Sequence, residues 1–326
     1  MEKIVSILIS IAPSLVSFLL TLLLLHFLPG GRFILGADRG RKFAVGSEVN
    51  IGKPTGVGFY FVLVIAVVIS AFNYTQLDII LTMLLLIAAM FTGFLDDRAK
   101  TPWNEYVKGA LDFLIALFGA AIATFMFSRD VVIGLTGNVI TLPTPLYFIL
   151  AVILIIVSIN ATNATDGVDG LSGTLAIIAF FSINLLSGIN KTITSSSLCM
   201  CEVLIGTLFA YLIFNHYPSK MLMGDAGSRA IGLFIAMYIM YVSLPIAYLV
   251  IGLPFLLDGG LSILKITIGR LTKKKVIILK NTLTPIHDHL KKRKGFSVPQ
   301  TMLAIVAFAL VVDCIYLGIA LFLHSR

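Results

Sequence analysis

About ten apolar runs dominate the chain, at about residues 4–28, 58–72, 79–95, 110–127, 146–159, 171–186, 198–214, 230–242, 247–268 and 301–323. A hydrocarbon layer ~30 Å thick takes about 20 helical residues at ~1.5 Å each, so runs of this kind are candidate membrane crossings. They are continuously apolar, without the two-residue alternation of a membrane barrel strand. A soluble core cannot absorb them: 58% of the 326 residues are hydrophobic and 12% are charged, against roughly 25% charged in soluble domains. The expected fold is all-α, a single polytopic membrane domain over residues 1–326 with about ten transmembrane helices. The first run, with Lys3 before it and Pro29-Gly30-Gly31 after it, is longer than a usual leader core and reads as a retained helix. Cys199, Cys201 and Cys314 all lie in apolar runs. They read as small buried hydrophobes rather than a disulfide framework or a zinc site.

The basic residues are distributed one-sidedly. Alternate loops hold Arg32, Arg39, Arg41, Lys42 and Lys53; Arg98, Lys100 and Lys108; Lys220 and Arg229; and Arg270, Lys273, Lys274, Lys275, Lys280, Lys291, Lys292, Arg293 and Lys294. Those nineteen face only Lys3, Arg129, Lys191 and Arg326 on the other side, with Lys265 inside a run. The positive-inside rule then puts these loops in the cytoplasm and both termini outside. The net charge of +8 is explained by anionic lipid and an anionic substrate, without nucleic acid.

The same inner loops carry the unusual polar clusters. Asp96 and Asp97 are adjacent carboxylates at a membrane boundary, with Lys100 one turn on; they invite a cation, or form a solvated helix end. Residues 160–173 crowd Asn160, Asn163, Asp166, Gly167, Asp169 and Gly170 into one stretch. Glycines admit close backbone approach and the Asn and Asp side chains bind polar groups or a metal. The spacing does not fit an EF-hand, and a plain turn needs fewer such residues. Met223-Gly224-Asp225-Ala226-Gly227-Ser228 offers one carboxylate before a helix N-terminus, a pattern suited to a hard cation or a phosphate. His287 and His289 flank Asp288 ahead of Lys291–Lys294, where an imidazole can serve proton or phosphate chemistry. Zinc is disfavoured because no further histidine or cysteine is near. The clusters put five acids on one predicted face together with lysines, as a magnesium–diphosphate substrate meeting a membrane partner would require.

In this order the clusters resemble those of the polyprenyl-phosphate N-acetylhexosamine-1-phosphate transferase superfamily. Its phospho-N-acetylmuramoyl-pentapeptide transferase branch is the most similar. The resemblance rests on Lys53-Pro54-Thr55-Gly56-Val57-Gly58, Asp96-Asp97 with Lys100, Asn163 through Gly170, Phe214-Asn215 with Met223-Gly224-Asp225, and Pro285-Ile286-His287 with His289, Gly295 and Gln300. The resemblance implies a ten-helix fold, Mg²⁺ dependence and a homodimer. It implies transfer of phospho-N-acetylmuramoyl-pentapeptide from UDP-N-acetylmuramoyl-pentapeptide to undecaprenyl phosphate, with release of UMP. By position, Asp225 would hold Mg²⁺, and Asp96 and Asp97 would act at the lipid phosphate or the metal, Asp96 as base. Lys53 and Asp169, with the loop around Asn163, Asp166 and Gly167, would contact the uracil region. Lys100, Lys108 and Asn215 would support the diphosphate. His287, grouped with the catalytic residues, and His289 would border the cleft.

The chain departs from that branch at Asp288, where a third histidine is usual, at Leu222, where an aromatic is usual, and at Ala164 in place of leucine. These changes bear on sugar and peptide recognition more than on phosphoryl transfer. Two rival readings are N-acetylglucosamine-1-phosphate transfer to a polyprenyl phosphate and a cation-coupled transporter. Transport sites lie near the midplane, whereas here the acids of the clusters sit at run ends on one side and mid-run acids such as Asp112 and Asp313 are few.

Overall fold

The computed structural model describes residues 2–27, 35–38, 50–99, 101, 103–276 and 278–326, with side chains of the first helix from residue 11 onward. Every apolar run falls on a helix: α1 (Glu2–Phe27), α2 (Gly58–Phe72), α3 (Leu77–Arg98), α4 (Glu105–Met126), α5 (Thr144–Thr165), α6 (Leu171–Ile189), α7 (Ser195–Asn215) and α8 (Gly224–Tyr241) come first. A broken segment follows, made of a 3₁₀ turn Pro245–Ala247, α9 (Tyr248–Ile251), α10 (Leu253–Phe255), a π turn Leu256–Gly260 and α11 (Leu261–Leu271). The short α12 (Ile286–Lys294) and the long α13 (Val298–His324) complete the chain. Among the described residues, six helices are long and apolar enough to cross a membrane, or seven when the two halves of the broken segment, bent by 59°, are taken as one. The chain is an all-α, multi-pass membrane protein. Among the described residues, two small antiparallel strand pairs, which the apolar pattern does not announce, lie in loops: β1 (Gly36–Ala37) with β2 (Pro54–Thr55), and β3 (Asp130–Val132) with β4 (Val139–Thr141).

Capping starts the helices where the sequence supplies it. Thr194 and Ser197 form a capping box on α7, and Ser297 and Gln300 form one on α13, each satisfying orphan amides of the first turn. Two helix limits differ most from the apolar pattern. α5 runs on to Thr165 and α8 begins at Gly224, so Asn160, Asn163 and Asp225 are helical rather than in loops. The apolar signal stops where the polar chemistry starts, but the helix does not: Asn160 Nδ2 donates to Ile156 O at 3.0 Å within its own turn. Arg229, placed above in a cytoplasmic loop, is therefore a buried residue inside α8. Of the other loop charges, Arg32, Arg39, Arg41, Lys42 and Lys100 lie outside the described residues.

α8 is the axis of the bundle. It is buried from Ala226 through Met240 and packs chiefly on α3 and α5. Phe180 on α6 stacks on Tyr238 with centroids 4.7 Å apart, and the Tyr238 hydroxyl donates to Asn184 Oδ1 at 3.1 Å. Outer helix faces carry exposed leucines and phenylalanines, among them Leu15, Leu19 and Leu23 on α1 and Phe118 and Phe125 on α4. Such faces suit lipid, in which helices associate through close packing of small residues and side-chain hydrogen bonds. A tight crossing sets the site. A Cβ on Gly93 of α3 would lie 2.3 Å from Asp225 O and 2.6 Å from Ala226 N, so the end of α3 meets the start of α8 backbone to backbone. Gly93→Val is expected to abolish folded protein in detergent, and Gly93→Ala to lower the melting temperature, because overpacking against backbone costs about 1–3 kcal/mol or more. An unchanged melting temperature for the valine variant would contradict this contact.

Candidate active site

Three polar groups collect at helix ends. The first joins the end of α3, the start of α4, the end of α5 and the start of α8. Asn104 caps α4 by accepting from Val107 N at 2.8 Å, which fixes the turn carrying Lys108. The Lys108 ammonium pairs with Asp96 and lies 3.4 Å from Asp225 Oδ2. Asp96 is buried and also accepts from Trp103 N at 2.8 Å. Asn163 Nδ2 donates to Asp225 Oδ1 at 3.0 Å and to Ser228 Oγ at 2.9 Å. Asp97 turns its carboxylate onto the start of α8, accepting from Asp225 N and Ala226 N at 3.1 Å each. A carboxylate there satisfies orphan amides and complements the helix dipole. Asp97 thus holds the turn that presents Asp225.

The second group gathers the ends of α7 and the loop before α6. Asn215 Oδ1 accepts from Gly170 N at 2.9 Å, and its amide donates to Met221 O at 2.8 Å. Both ends of this buried side chain are thereby spent on tying two loops together. Asp169 Oδ2 accepts from Ser219 N at 2.9 Å, while Lys53 Nζ donates to Ser219 Oγ at 3.0 Å and to Asn50 Oδ1 at 2.6 Å. Lys53 and Asp169, paired above on the strength of the resemblance, each contact Ser219, a residue the motifs do not point to.

The third group is built on the π turn. Asp258, on that turn and almost wholly buried, accepts from His287 N at 2.7 Å, and its other oxygen lies 2.8 Å from His287 Nδ1. The opposite ring nitrogen faces the loop after α5: a Cβ on Gly167 would fall 2.4 Å from His287 Nε2. Lys291 Nζ donates to Gly167 O at 3.3 Å. Asp166 closes α5, its amide donating to Asn163 O at 3.2 Å, so Asn163, Asp166 and Gly167 link the first group to the third. His289 Nδ1 instead accepts from Leu283 N at 3.3 Å and holds the preceding loop. Asp288 pairs with Lys292 at 3.0 Å and Lys291 at 3.4 Å. Burial raises its pKa, but the Lys292 hydrogen bond and the charges of His287, Lys291 and Lys292 outweigh it and hold the carboxyl below the usual range.

The mid-run acids Asp112 and Asp313 also find partners: Asp112 binds Arg229, and Asp313 accepts from Ser182 Oγ at 2.6 Å. Asp258 was missed as well. Its only sequence signal is an acid followed by Gly259-Gly260 inside an apolar run. Among the described residues, no three His, Cys, Asp or Glu side chains converge to enclose an ion.

The family described as Glycosyl transferase family 4 matches residues 79–243, from α3 through α8, which includes the first group and much of the second. A phospho-N-acetylmuramoyl-pentapeptide-transferase of Treponema pallidum subsp. pallidum is 34% identical over 293 residues, covering 85% of this chain and 80% of that protein. A protein of the same name from Lactobacillus acidophilus is 29% identical over 293 residues, covering 86% and 87%. One from Clostridium acetobutylicum is 28% identical over 276 residues, covering 79% and 84%. These matches reach past the family segment on both sides. The chain belongs to glycosyl transferase family 4, alongside these phospho-N-acetylmuramoyl-pentapeptide-transferases.

Proposed function

We propose that the chain transfers phospho-N-acetylmuramoyl-pentapeptide from UDP-N-acetylmuramoyl-pentapeptide to undecaprenyl phosphate in the bacterial cytoplasmic membrane, giving lipid I and UMP. The observation that carries this reading is the convergence of Asp96, Lys108, Asp225 and Asn163 at the ends of four helices. An oxygen of the lipid phosphate attacks the sugar-bearing phosphorus. The bond to the bridging oxygen breaks, and UMP leaves with that oxygen. One phosphoanhydride replaces another, so the task is to align two polyanions and neutralise charge.

The donor set suits magnesium. Two carboxylates, Asp96 and Asp225, meet one ammonium there, and Mg²⁺ prefers one or two protein carboxylates with water and phosphate oxygens for the rest. Asp225 would hold the ion, with Asp96 and Asp97 beside it. When bound, it would supply charge neutralisation on the diphosphate and stabilise departing UMP. Lys108 supplies a fixed cation to the transferred phosphate, and Asn163 orients Asp225. The lipid phosphate is already ionised near neutral pH, which leaves Asp96 chiefly the role of holding Lys108. Lys53, Ser219 and Asp169 form a polar lip for the uracil. His287, Lys291 and the Gly167 loop border the sugar and peptide.

In this reading the helical segments make ten crossings, with α1, α2, α8 and the broken segment counted, and both termini face outward. The site groups support it: they sit at the C-terminal ends of α3, α5 and α7 and the N-terminal ends of α4 and α8, which up-and-down crossings place on one face. The charge bias marks that face as cytoplasmic.

The donor separates this function from N-acetylglucosamine-1-phosphate transfer. A pentapeptide donor brings extra carboxylates, which the basic end of α12, Lys291 to Lys294, attracts. Purified protein with undecaprenyl phosphate and Mg²⁺ is expected to release UMP at least roughly tenfold faster from the muramoyl-pentapeptide donor than from UDP-N-acetylglucosamine, since rim charges tune selectivity. Both donors share the uridine diphosphate, so the ratio isolates the sugar and peptide. A reversed preference would move the chain to the other substrate class.

A further inference from the structure

Below the first polar group lies a second layer built from three of its four helices. On α4, Asp112 stands four residues after Lys108. On α8, Arg229 stands four residues after Asp225. On α5, Asn160 stands three residues before Asn163. Each step is about one helical turn, which returns a side chain to the same face. Arg229 Nε donates to Asp112 Oδ1 at 3.2 Å, and its Nη2 pairs with the same oxygen. Asn160 Nδ2 donates to Asp112 Oδ2 at 3.3 Å.

The two layers mirror each other with the signs exchanged. In the outer layer the cation is on α4 and the carboxylate on α8, with Asn163 on the carboxylate. In the inner layer the carboxylate is on α4 and the cation on α8, with Asn160 on the carboxylate. The inner pair is closed off: Asp112 is 4% exposed and Arg229 3% exposed.

A buried ion pair is a poor source of stability, because desolvation offsets most of its attraction, and apolar residues of similar volume often serve as well. A carboxylate inside a membrane helix also carries an insertion cost. What the pair does supply is register. Its two hydrogen bonds allow only one axial and rotational setting of α4 against α8, and that setting puts Lys108 against Asp225. We propose that Asp112 and Arg229 are positioning residues, a charge-paired clamp one turn below the site that holds the Lys108 ammonium between Asp96 and Asp225. This deepens the reading of the site given under Proposed function and rests on it for its catalytic consequence alone.

The test replaces the clamp by apolar residues of similar size, Asp112→Leu with Arg229→Met, so that no buried charge is left alone. Arg229→Lys, which keeps the charge but loses the two-nitrogen fork, is the second variant and decides the matter if the first does not fold. Two readouts are taken on detergent-purified full-length protein. The first is the rate at which an amine-acylating reagent modifies Lys108, followed by peptide mass spectrometry, with Lys280 as the internal reference. The second is UMP release, resolved into kcat and KM. Lys108 labelling relative to Lys280 is expected to rise several-fold in the apolar variant and less in Arg229→Lys. The kcat is expected to fall on the order of 10- to 100-fold with KM little changed, the pattern of a misplaced reacting group.

Lys108 labelling equal to wild type in a folded variant would overturn the clamp. So would wild-type kcat in a variant whose labelling has risen. If the unaltered protein releases no UMP from either UDP donor, the functional reading fails, and the labelling arm still decides whether the pair positions Lys108.

Discussion

Asp225→Asn is expected to lower Mg²⁺-dependent UMP release on the order of 10²–10³-fold while leaving folded yield unchanged. The local geometry makes this substitution a clean one. The amide oxygen of asparagine can still accept from Asn163, which now donates to Asp225 Oδ1 at 3.0 Å. The backbone amide of residue 225 still donates to Asp97, so the first turn of α8 keeps its anchor. What is lost is the negative charge beside Lys108 and the anionic oxygen that a hard cation prefers. The loss should be steepest at limiting Mg²⁺ and shrink in part as Mg²⁺ is raised. Near-normal turnover at limiting Mg²⁺ would remove Asp225 from the metal site. A collapse of folded protein would instead make the residue a packing element of the α3–α8 crossing.

How much of this was legible beforehand depends on whether a feature is local. The helices were legible because lipid-length apolar runs have few other uses. Their ends were not: α5 and α8 continue several residues into polar sequence, since helical hydrogen bonds do not need apolar side chains. The clusters at Asp96-Asp97, Asn163 to Asp169, Asp225 and His287 were legible because polar density at the edge of an apolar run is conspicuous. Partnerships were not. Asp112 and Arg229 are 117 residues apart, and nothing in either neighbourhood points to the other. Asp112 alone looked like an isolated charge in a membrane span, and Arg229 looked like one more cytoplasmic loop cation. Ser219 carries no chemical signal until the fold sets it between Lys53 and Asp169. Asn215, expected at the diphosphate, spends its amide on two loop backbones, a use that composition cannot distinguish from ligand binding.

Asp258 is the missed residue whose replacement should cost most. As an ionised carboxylate it only accepts hydrogen bonds. The 2.8 Å contact with His287 Nδ1 therefore puts a proton on Nδ1, and in the neutral ring it leaves the Nε2 lone pair facing Gly167. The second oxygen takes the His287 main-chain amide at 2.7 Å, which fixes the start of α12 as well as the ring. Asp258→Asn separates these duties. Its amide oxygen can keep the main-chain hydrogen bond, while its NH₂ group donates to Nδ1 and drives the proton to Nε2. The ring then stays in place with its polarity towards the Gly167 loop reversed. Reversing an imidazole tautomer in this way costs up to ~10⁴-fold in hydrolytic triads, and a loss of on the order of 10²-fold or more in kcat is expected for UMP release if His287 serves the reaction through Nε2. Asp258→Glu, which restores the carboxylate with one more methylene, should recover a substantial part of the rate. Folded Asp258→Asn protein with wild-type kcat would leave His287 a packing residue and place the chemistry wholly on the group around Lys108 and Asp225.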